Sequence, residues 1–173
     1  MVAALETRSD CSRCAALCCI AYPSDDMPGF AARKAAGEPC PKLTGDGRCT
    51  IYENRAEEGF AGCIRYECFG AGQHVVQTLF EGCDWRDDPA LLGPMIETFL
   101  AMRPVSDLAY LVEKALDAKP DADLVEDLLN VRGELQQIAQ SRRSLADSAR
   151  IARCEQALRR IYASLDPATL RRA

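Results

Sequence analysis

The sequence is almost devoid of histidine, and this absence limits the chemistry that the chain can perform. His74 is the only histidine among 173 residues. Histidine is the most common general base in catalysis, and no convincing pair of nucleophile and base is found among the other residues. A glycine-rich cofactor loop is missing too, since Gly70 and Gly72 form too short a motif. These absences favour a non-catalytic protein, and an enzyme stays an open alternative.

Long apolar runs are also missing. No stretch of about 18 apolar residues exists, so we expect no transmembrane helix and no membrane partner. The first ten residues include Glu6, Arg8 and Asp10 and contain no apolar run, which argues against a secretory signal peptide. We therefore expect a cytoplasmic protein, whose cysteines stay reduced.

Positive charge is scarce except at the C-terminal end. The net charge of −5 argues against general nucleic-acid binding. Residues 142–173 are the exception, since eight arginines and three acidic residues give this segment a net charge of +5. The ordinary interpretation of this run is a solvated helix face that complements the acidic segment before it.

Cysteine, in contrast, is abundant. Eight of the ten cysteines lie between positions 11 and 68. Clustered thiols in a reducing compartment usually bind metal, whereas a disulfide scaffold is typical of an exported protein. The sequence therefore predicts a Zn²⁺ site or an Fe–S cluster. The predicted ligands are Cys11, Cys14, Cys18, Cys19, Cys40, Cys49, Cys63 and Cys68.

The first four cysteines follow the pattern C-x2-C-x3-C-C. Asp10 can cap a helix that begins at Cys11. On an intact helix Cys11 and Cys19 would be separated by about 12 Å of rise, too far for one zinc ion with Zn–S bonds of about 2.3 Å. Either the helix breaks, or these thiols serve more than one metal, or only two or three of them are ligands.

The other four cysteines follow in turn-rich sequence. Glycines in the segment 44–47 allow a tight hairpin that brings Cys40 and Cys49 together. A short helix is expected at Tyr52–Glu58, before Cys63 and Cys68. Eight thiolates would suffice for two four-thiolate zinc sites, a thiolate-bridged metal pair, or one Fe–S cluster with spare thiols.

The composition changes near residue 88 and predicts two domains in a mainly α protein. Residues 1–88 form a small, irregular, metal-bound cysteine-rich module, and such small modules often need a metal to fold. Residues 89–173 form a helical region, an αα-hairpin or bundle, that packs on the module or forms a dimer surface. The expected partner is therefore an unknown protein or a second copy bound through the C-terminal helices.

Four helices are expected after residue 88. Asp88 starts the first, the Gly93-Pro94 pair interrupts or restarts it, and Pro104 ends it. Ser106 caps the second helix. The last two helices carry apolar seams with alternating steps of three and four residues, which predicts an αα-hairpin. These seams are Leu124, Leu128, Val131, Leu135 and Ile138, then Ile151, Cys154, Leu158, Ile161 and Leu165. Cys154 lies on its seam and is interpreted as a packing residue.

The cysteine pattern resembles that of a known family. The C-x2-C-x3-C-C opening, Cys40-Pro41, the segment from Gly47 to Arg55, and Cys63 with Cys68 together resemble the CxxCxxCC zinc- or iron-chelating (YkgJ-type) family. Residues 63–86 are more similar to the cysteine-rich segment that precedes pentapeptide repeats in some bacterial proteins. The resemblance covers about residues 9–88, and no pentapeptide repeat follows in this chain.

The resemblance implies zinc or Fe–S binding by the same eight cysteines, and the family includes a flagellin lysine methylase. We therefore predict a non-catalytic metal-binding cysteine cluster, with an Fe–S redox protein or a methyltransferase-like, protein-modifying enzyme as the alternative. Metal storage or sensing by labile thiolates is a third, weaker alternative. The chain departs from the family in having three residues instead of two before Cys18. Cys83 has no place in the motif, and His74 is interpreted as an ordinary surface or capping residue.

Overall fold

The structure is a computed structural model that describes residues 5–24 and 27–165. In these ranges the chain is mainly helical without β-strands, and its C-terminal region resembles a helical bundle, so the predicted mainly α class is confirmed. The chain divides into two compact units. We call Arg8–Leu100 the cysteine-rich unit, and the residues from Ala101 onward, with those before Arg8, the helical unit. The proposed domain division after residue 88 stays a prediction.

Short helical segments joined by turns make up the cysteine-rich unit. They are a 3-10 turn at Cys11–Arg13, α1 at Leu17–Ala21, α2 at Ala61–Arg65, α3 at Ala71–His74, a π-helical turn at Val75–Leu79 and a 3-10 turn at Pro89–Leu91. The ring of Tyr22 packs edge-on against Phe99 and Tyr66, with centroid distances of 6.0 and 5.4 Å. The apolar core is small, and its fully buried side chains include Leu17, Ile20, Val75, Met95 and Phe99.

The predicted hairpin between Cys40 and Cys49 is confirmed, whereas the helix expected at Tyr52–Glu58 is wrong. An isolated antiparallel bridge pairs Leu43 with Cys49, and Gly47 supplies the positive φ of +81° that the turn needs. Residues 52–58 form successive turns instead of a helix. A helix of this length is marginal without tertiary packing, and six of these seven residues are exposed.

One long helix, α4 at Leu92–Asp117, replaces the two helices that were expected to meet at Pro104. Asp88 does cap the preceding 3-10 turn, accepting a hydrogen bond from the Ala90 amide at 3.0 Å. Proline inside a helix costs about 3 kcal/mol, but each fully buried large apolar side chain contributes about 1.5–3 kcal/mol. Several such side chains flank Pro104, so their burial outweighs its cost. They are Met102, Val105 and Val112.

Helices α5 and α7 of the helical unit confirm the predicted αα-hairpin. Helix α5 spans Ala122–Ile138, the short α6 spans Arg142–Leu145, and α7 spans Ser148–Ser164. Helices α5 and α7 pack against each other. Their buried side chains are Leu128, Val131, Leu135, Ile138, Cys154, Leu158 and Ile161, so Cys154 is a packing residue as expected.

Polar contacts also join α5 to α7. The Arg150 guanidinium contacts the Glu134 carboxylate at 2.8 Å, whereas Arg159 on α7 is largely exposed. The arginine-rich segment therefore has both a solvated face and a contact to the acidic segment before it. Among the helices in the described ranges, none has both the length and the apolar character needed to cross a membrane.

Candidate metal centre

The segment with the first four cysteines is a broken helix. Asp10 caps it as expected, accepting from the Ser12 amide at 3.0 Å, but the 3-10 turn ends at Arg13. Cys14 is extended, and Ala16 adopts the left-handed conformation with φ of +55°. The break places Cys11 and Cys14 before α1 and leaves only Cys18 and Cys19 on it, so the spacing limit of an intact helix no longer applies.

The adjacent thiols of Cys18 and Cys19 differ in their acidity. Their sulfur atoms lie 4.0 Å apart. The hydrogen bond to Cys19 and burial raise the pKa of Cys18. The same hydrogen bond, with the positive charges of Lys34 and Arg55 nearby, lowers the pKa of Cys19 to about 7. Cys19 is therefore the thiol that most readily becomes a thiolate, the form that binds metal.

The hairpin places Cys40 and Cys49 next to α1. The Cys40 amide donates to the Cys19 carbonyl at 3.1 Å. Burial raises the pKa of the Cys40 thiol, and the neighbouring thiols of Cys19 and Cys49 raise it further. Cys63 on α2 belongs to the same neighbourhood, because its pKa rises to about 11 through burial and then through Cys19, Cys40 and Cys49.

A second neighbourhood of thiols surrounds the start of the unit. Burial raises the pKa of Cys14 to about 12, with contributions from Cys68, Cys11 and Cys19. Cys68 lies against the N-terminal segment, since its sulfur is 2.9 Å from the Ser9 hydroxyl. The pKa of Cys11 is raised by burial first and then by Cys68 and Cys19.

All eight predicted ligands therefore lie in one continuous neighbourhood of the cysteine-rich unit. One group contains Cys11, Cys14 and Cys68, the other contains Cys40, Cys49 and Cys63, and the Cys18-Cys19 pair lies between them. Every cysteine is a free thiol. In the part of the chain that the structure describes, no three Cys, His, Asp or Glu side chains are close enough together to hold a metal ion as they stand.

Two residues whose roles the sequence left open, Cys83 and His74, lie close to each other in the chain. Cys83 is exposed in a turn, where its amide donates to the Phe80 carbonyl at 2.8 Å. His74 ends α3 and is half-buried. Neither position adds a reason to extend the set of eight candidate ligands.

Several residues that support the cluster were not singled out from the sequence. The Trp85 indole donates to the Ala15 carbonyl at 2.8 Å, and the Arg86 guanidinium bonds the Asp46 carbonyl and the Asp84 carboxylate. These contacts tie residues 84–86 to the first cysteine segment and to the hairpin. Residues 84–86 end the segment 63–86 that carries part of the family resemblance, which was the only sequence signal for this role.

Glycine and glutamine residues of α3 hold the Cys14 segment. Helix α3 packs on the Cys11–Arg13 turn, and the buried Gln73 amide donates to the Arg8 carbonyl at 3.2 Å. A Cβ atom at Gly72 would clash with the sulfur of Cys14. Only glycine at position 72 therefore lets the Cys14 thiol lie directly on α3.

Comparisons with known proteins leave the family open. No family model matches the chain, and no solved structure matches it. The chain is similar to a protein of Bacillus subtilis (strain 168) described as "Uncharacterized protein YybG", with 40% identity over 115 residues, which is 65% of this chain and 41% of that relative. The chain thus spans less than half the length of this relative, whose description names no activity or ligand.

Proposed function

We propose that this chain is a non-catalytic metal-binding protein whose cysteine thiolates hold Zn²⁺ or an Fe–S cluster. The observation that carries the proposal is the gathering of eight free thiols from distant sequence positions into one neighbourhood. Folding brings Cys68 beside Ser9 and Cys40 beside Cys19. None of the eight thiols is fully buried, so apolar packing alone does not explain the arrangement.

The eight cysteine thiolates are suitable ligands for Zn²⁺ and for an Fe–S cluster. Thiolates are the preferred ligands of structural zinc and of Fe–S clusters. With Zn–S bonds of about 2.3 Å, two sulfurs on a tetrahedral zinc lie about 3.8 Å apart. The 4.0 Å separation between Cys18 and Cys19 is close to this value. Metal binding would require the other thiols to move closer together, since no three of the described Cys, His, Asp or Glu side chains are close enough to hold a metal ion as they stand.

Protonation adds a testable property to the site. The pKa of Cys14 is raised to about 12 and that of Cys63 to about 11, so both are thiols at neutral pH without metal. A bound metal must displace these protons, and metal affinity should therefore increase with pH. Cys19, with its pKa lowered to about 7, is the natural first ligand.

The decisive experiment is metal analysis with a visible absorption spectrum on protein purified without oxygen. Colourless protein with zinc would support a structural zinc module. Brown protein with iron and acid-labile sulfide would support an Fe–S protein and would make the redox or enzymatic alternative the leading hypothesis. Protein that takes up neither metal after reconstitution contradicts the proposal. Variants Cys83→Ser and Cys154→Ser serve as controls and should keep the full metal content.

The location and the partner belong to the same proposal. A cytoplasmic location suits a set of ten free thiols, since a reducing compartment keeps them unpaired. A protein contact or self-association through the helical unit, which exposes Leu111 and Leu129, is also part of this proposal. Light scattering on the metal-loaded protein tests self-association, and a strictly monomeric chain would leave only a different protein as the partner.

A further inference from the structure

Lys34 occupies an unusual position for a lysine. Its side chain is only 9% exposed, and lysine is almost never buried without partners for its charge. The ammonium group donates to the Ile20 carbonyl at 3.0 Å, to the Ala35 carbonyl at 3.2 Å and to the Tyr22 carbonyl. These three acceptors match the three donors of an ammonium group.

Two of these carbonyls lie at the C-terminal end of α1, the helix that carries Cys18 and Cys19. The last carbonyls of a helix lack partners within it and bear partial negative charge, which favours a cation there. Ile20 lies within α1, and Tyr22 follows its last residue. Lys34 therefore places a full positive charge at the C-terminal end of the helix that carries Cys18 and Cys19.

The segment around Lys34 also fixes Cys40. The Lys34 carbonyl accepts from the Ser24 amide at 3.0 Å, and the Gly37 amide donates to the Ile20 carbonyl at 2.9 Å. Three residues after Gly37, the Cys40 amide donates a hydrogen bond to the Cys19 carbonyl. The chain from Lys34 to Cys40 thus wraps the end of α1. The buried Lys34 side chain therefore connects the segment that ends at Cys40 to the helix that carries Cys18 and Cys19.

A loaded thiolate cluster needs positive charge nearby. One Zn²⁺ with four thiolates carries a net charge of −2, and burying such a charge is costly unless it is compensated. Arg55 is a second cation near the thiols, but it is half-buried and lies over the Tyr52 ring at 3.9 Å. Lys34 is the more buried of these two cations, and three backbone carbonyls set its position.

We infer that Lys34 is a positioning residue of the cluster, whose buried charge compensates the metal–thiolate centre while its hydrogen bonds hold Cys40 against α1. This inference rests on the proposed metal-binding function. A cap of purely structural importance would need the hydrogen bonds and would not need the positive charge. The two roles can therefore be separated by variants that keep or remove each property.

The test is competition for Zn²⁺ between the protein and a chelator of known affinity. Replacement of a residue that supports metal ligands typically lowers metal affinity about 10–100-fold, and we expect a loss of this size in Lys34→Met. Because that variant loses both properties and can fail to fold, Lys34→Gln is the second variant, which keeps a donor and lacks the charge. We expect Lys34→Gln to lose affinity as well, and Lys34→Arg to restore most of it.

Lys42→Gln is the matched control. Lys42 lies close to Cys40 in sequence, but its ammonium contacts the partly exposed Glu58 at 3.1 Å. This variant should bind zinc as the unmodified chain does. Full affinity in Lys34→Gln, or failure of Lys34→Arg to restore affinity, overturns the inference and leaves the metal site intact. Absence of zinc binding in the unmodified protein overturns the proposed function, and the inference with it.

Discussion

The two units of this protein are stabilised in different ways. In the helical unit, α5 and α7 bury continuous apolar seams against each other, so its stability follows from the periodicity of its own sequence. In the cysteine-rich unit the helices before α4 have only four or five residues each, too few to be stable alone. Its order depends on contacts between turns and, in our proposal, on a metal. The difference predicts that one unit tolerates metal loss and the other does not.

Metal removal should have the largest effect and should separate the two units most clearly. A structural zinc site contributes about 10–16 kcal/mol of apparent binding free energy. We expect Cys14→Ser to abolish ordered structure in the cysteine-rich unit, since the Cys14 thiol lies against α3, while α5 and α7 stay helical. Hydrogen exchange resolved by segment measures both units in one experiment. Cys83→Ser is the control, and retained metal with an unchanged melting curve in Cys14→Ser would contradict the prediction.

A core truncation in the helical unit should give the opposite pattern. Leu135 is fully buried on α5, and Leu→Ala at such a site costs about 2–5 kcal/mol. We expect Leu135→Ala to lower the free energy of unfolding of the helical unit by this amount without changing the metal content. Chemical denaturation followed by circular dichroism measures the loss. Leu129→Ala, on the exposed face of the same helix, should have little effect.

The same contrast explains what could be predicted from the sequence. The apolar residues of α5 and α7 recur at helical spacing, and this spacing predicts which positions are buried. Every predicted position from Leu128 to Ile138 is buried. The continuity of α4 through Pro104 could not be predicted, because proline is a strong local signal and the burial that overrides it is a tertiary effect. The helix expected at Tyr52–Glu58 does not form for the opposite reason, since six of its seven residues are exposed and little burial would stabilise it.

For the candidate site, the sequence identifies the thiols but not their supports. Eight cysteines are visible as a pattern, and the structure places them within electrostatic reach of one another. Their role as ligands stays a prediction, since no three potential ligands in the described part of the chain are close enough to hold a metal ion. The break at Ala16 has no local signal, because alanine is a strong helix former and rarely adopts positive φ. The role of Lys34 cannot be predicted from the sequence either, since its three hydrogen-bond acceptors are backbone carbonyls, which every residue has.

The stability of the metal-loaded cysteine-rich unit should fall as the pH falls. Burial raises the pKa of the Cys14 thiol to about 12, so this thiol keeps its proton at neutral pH unless a metal replaces it. Protons therefore compete with the metal for the thiolates. The stability that the metal supplies should be lost toward acid pH, by about 1.4 kcal/mol per pH unit for each competing proton.

Denaturant unfolding of the loaded protein at pH 6 and pH 8 tests this dependence. A cysteine-rich unit that is equally stable at the two values would contradict metal binding through thiolates. Helices α5 and α7 serve as the internal control, because their unfolding should not follow proton competition for the metal.

Glycine-to-alanine substitution should affect metal binding in the cysteine-rich unit. A Cβ at Gly72 would clash with the Cys14 sulfur, which is the movable end of a side chain. We therefore expect Gly72→Ala to displace this thiol and to reduce Zn²⁺ affinity about tenfold, which corresponds to about 1.4 kcal/mol. Chelator competition measures the loss, and full affinity would show that Cys14 is not a ligand in its present rotamer.

The matched substitution in the helical unit should have the smallest effect and the opposite sign. Gly133 lies inside α5, and a Cβ at this position would meet no atom within 4 Å. Glycine in a helix interior is about 0.5–1 kcal/mol less favourable than alanine, so Gly133→Ala should stabilise the helical unit by this amount and leave metal affinity unchanged. Thermal unfolding measures the gain. A destabilised Gly133→Ala would mean that this face of α5 is covered by a partner or a second copy, in which case the helical unit is itself a binding surface.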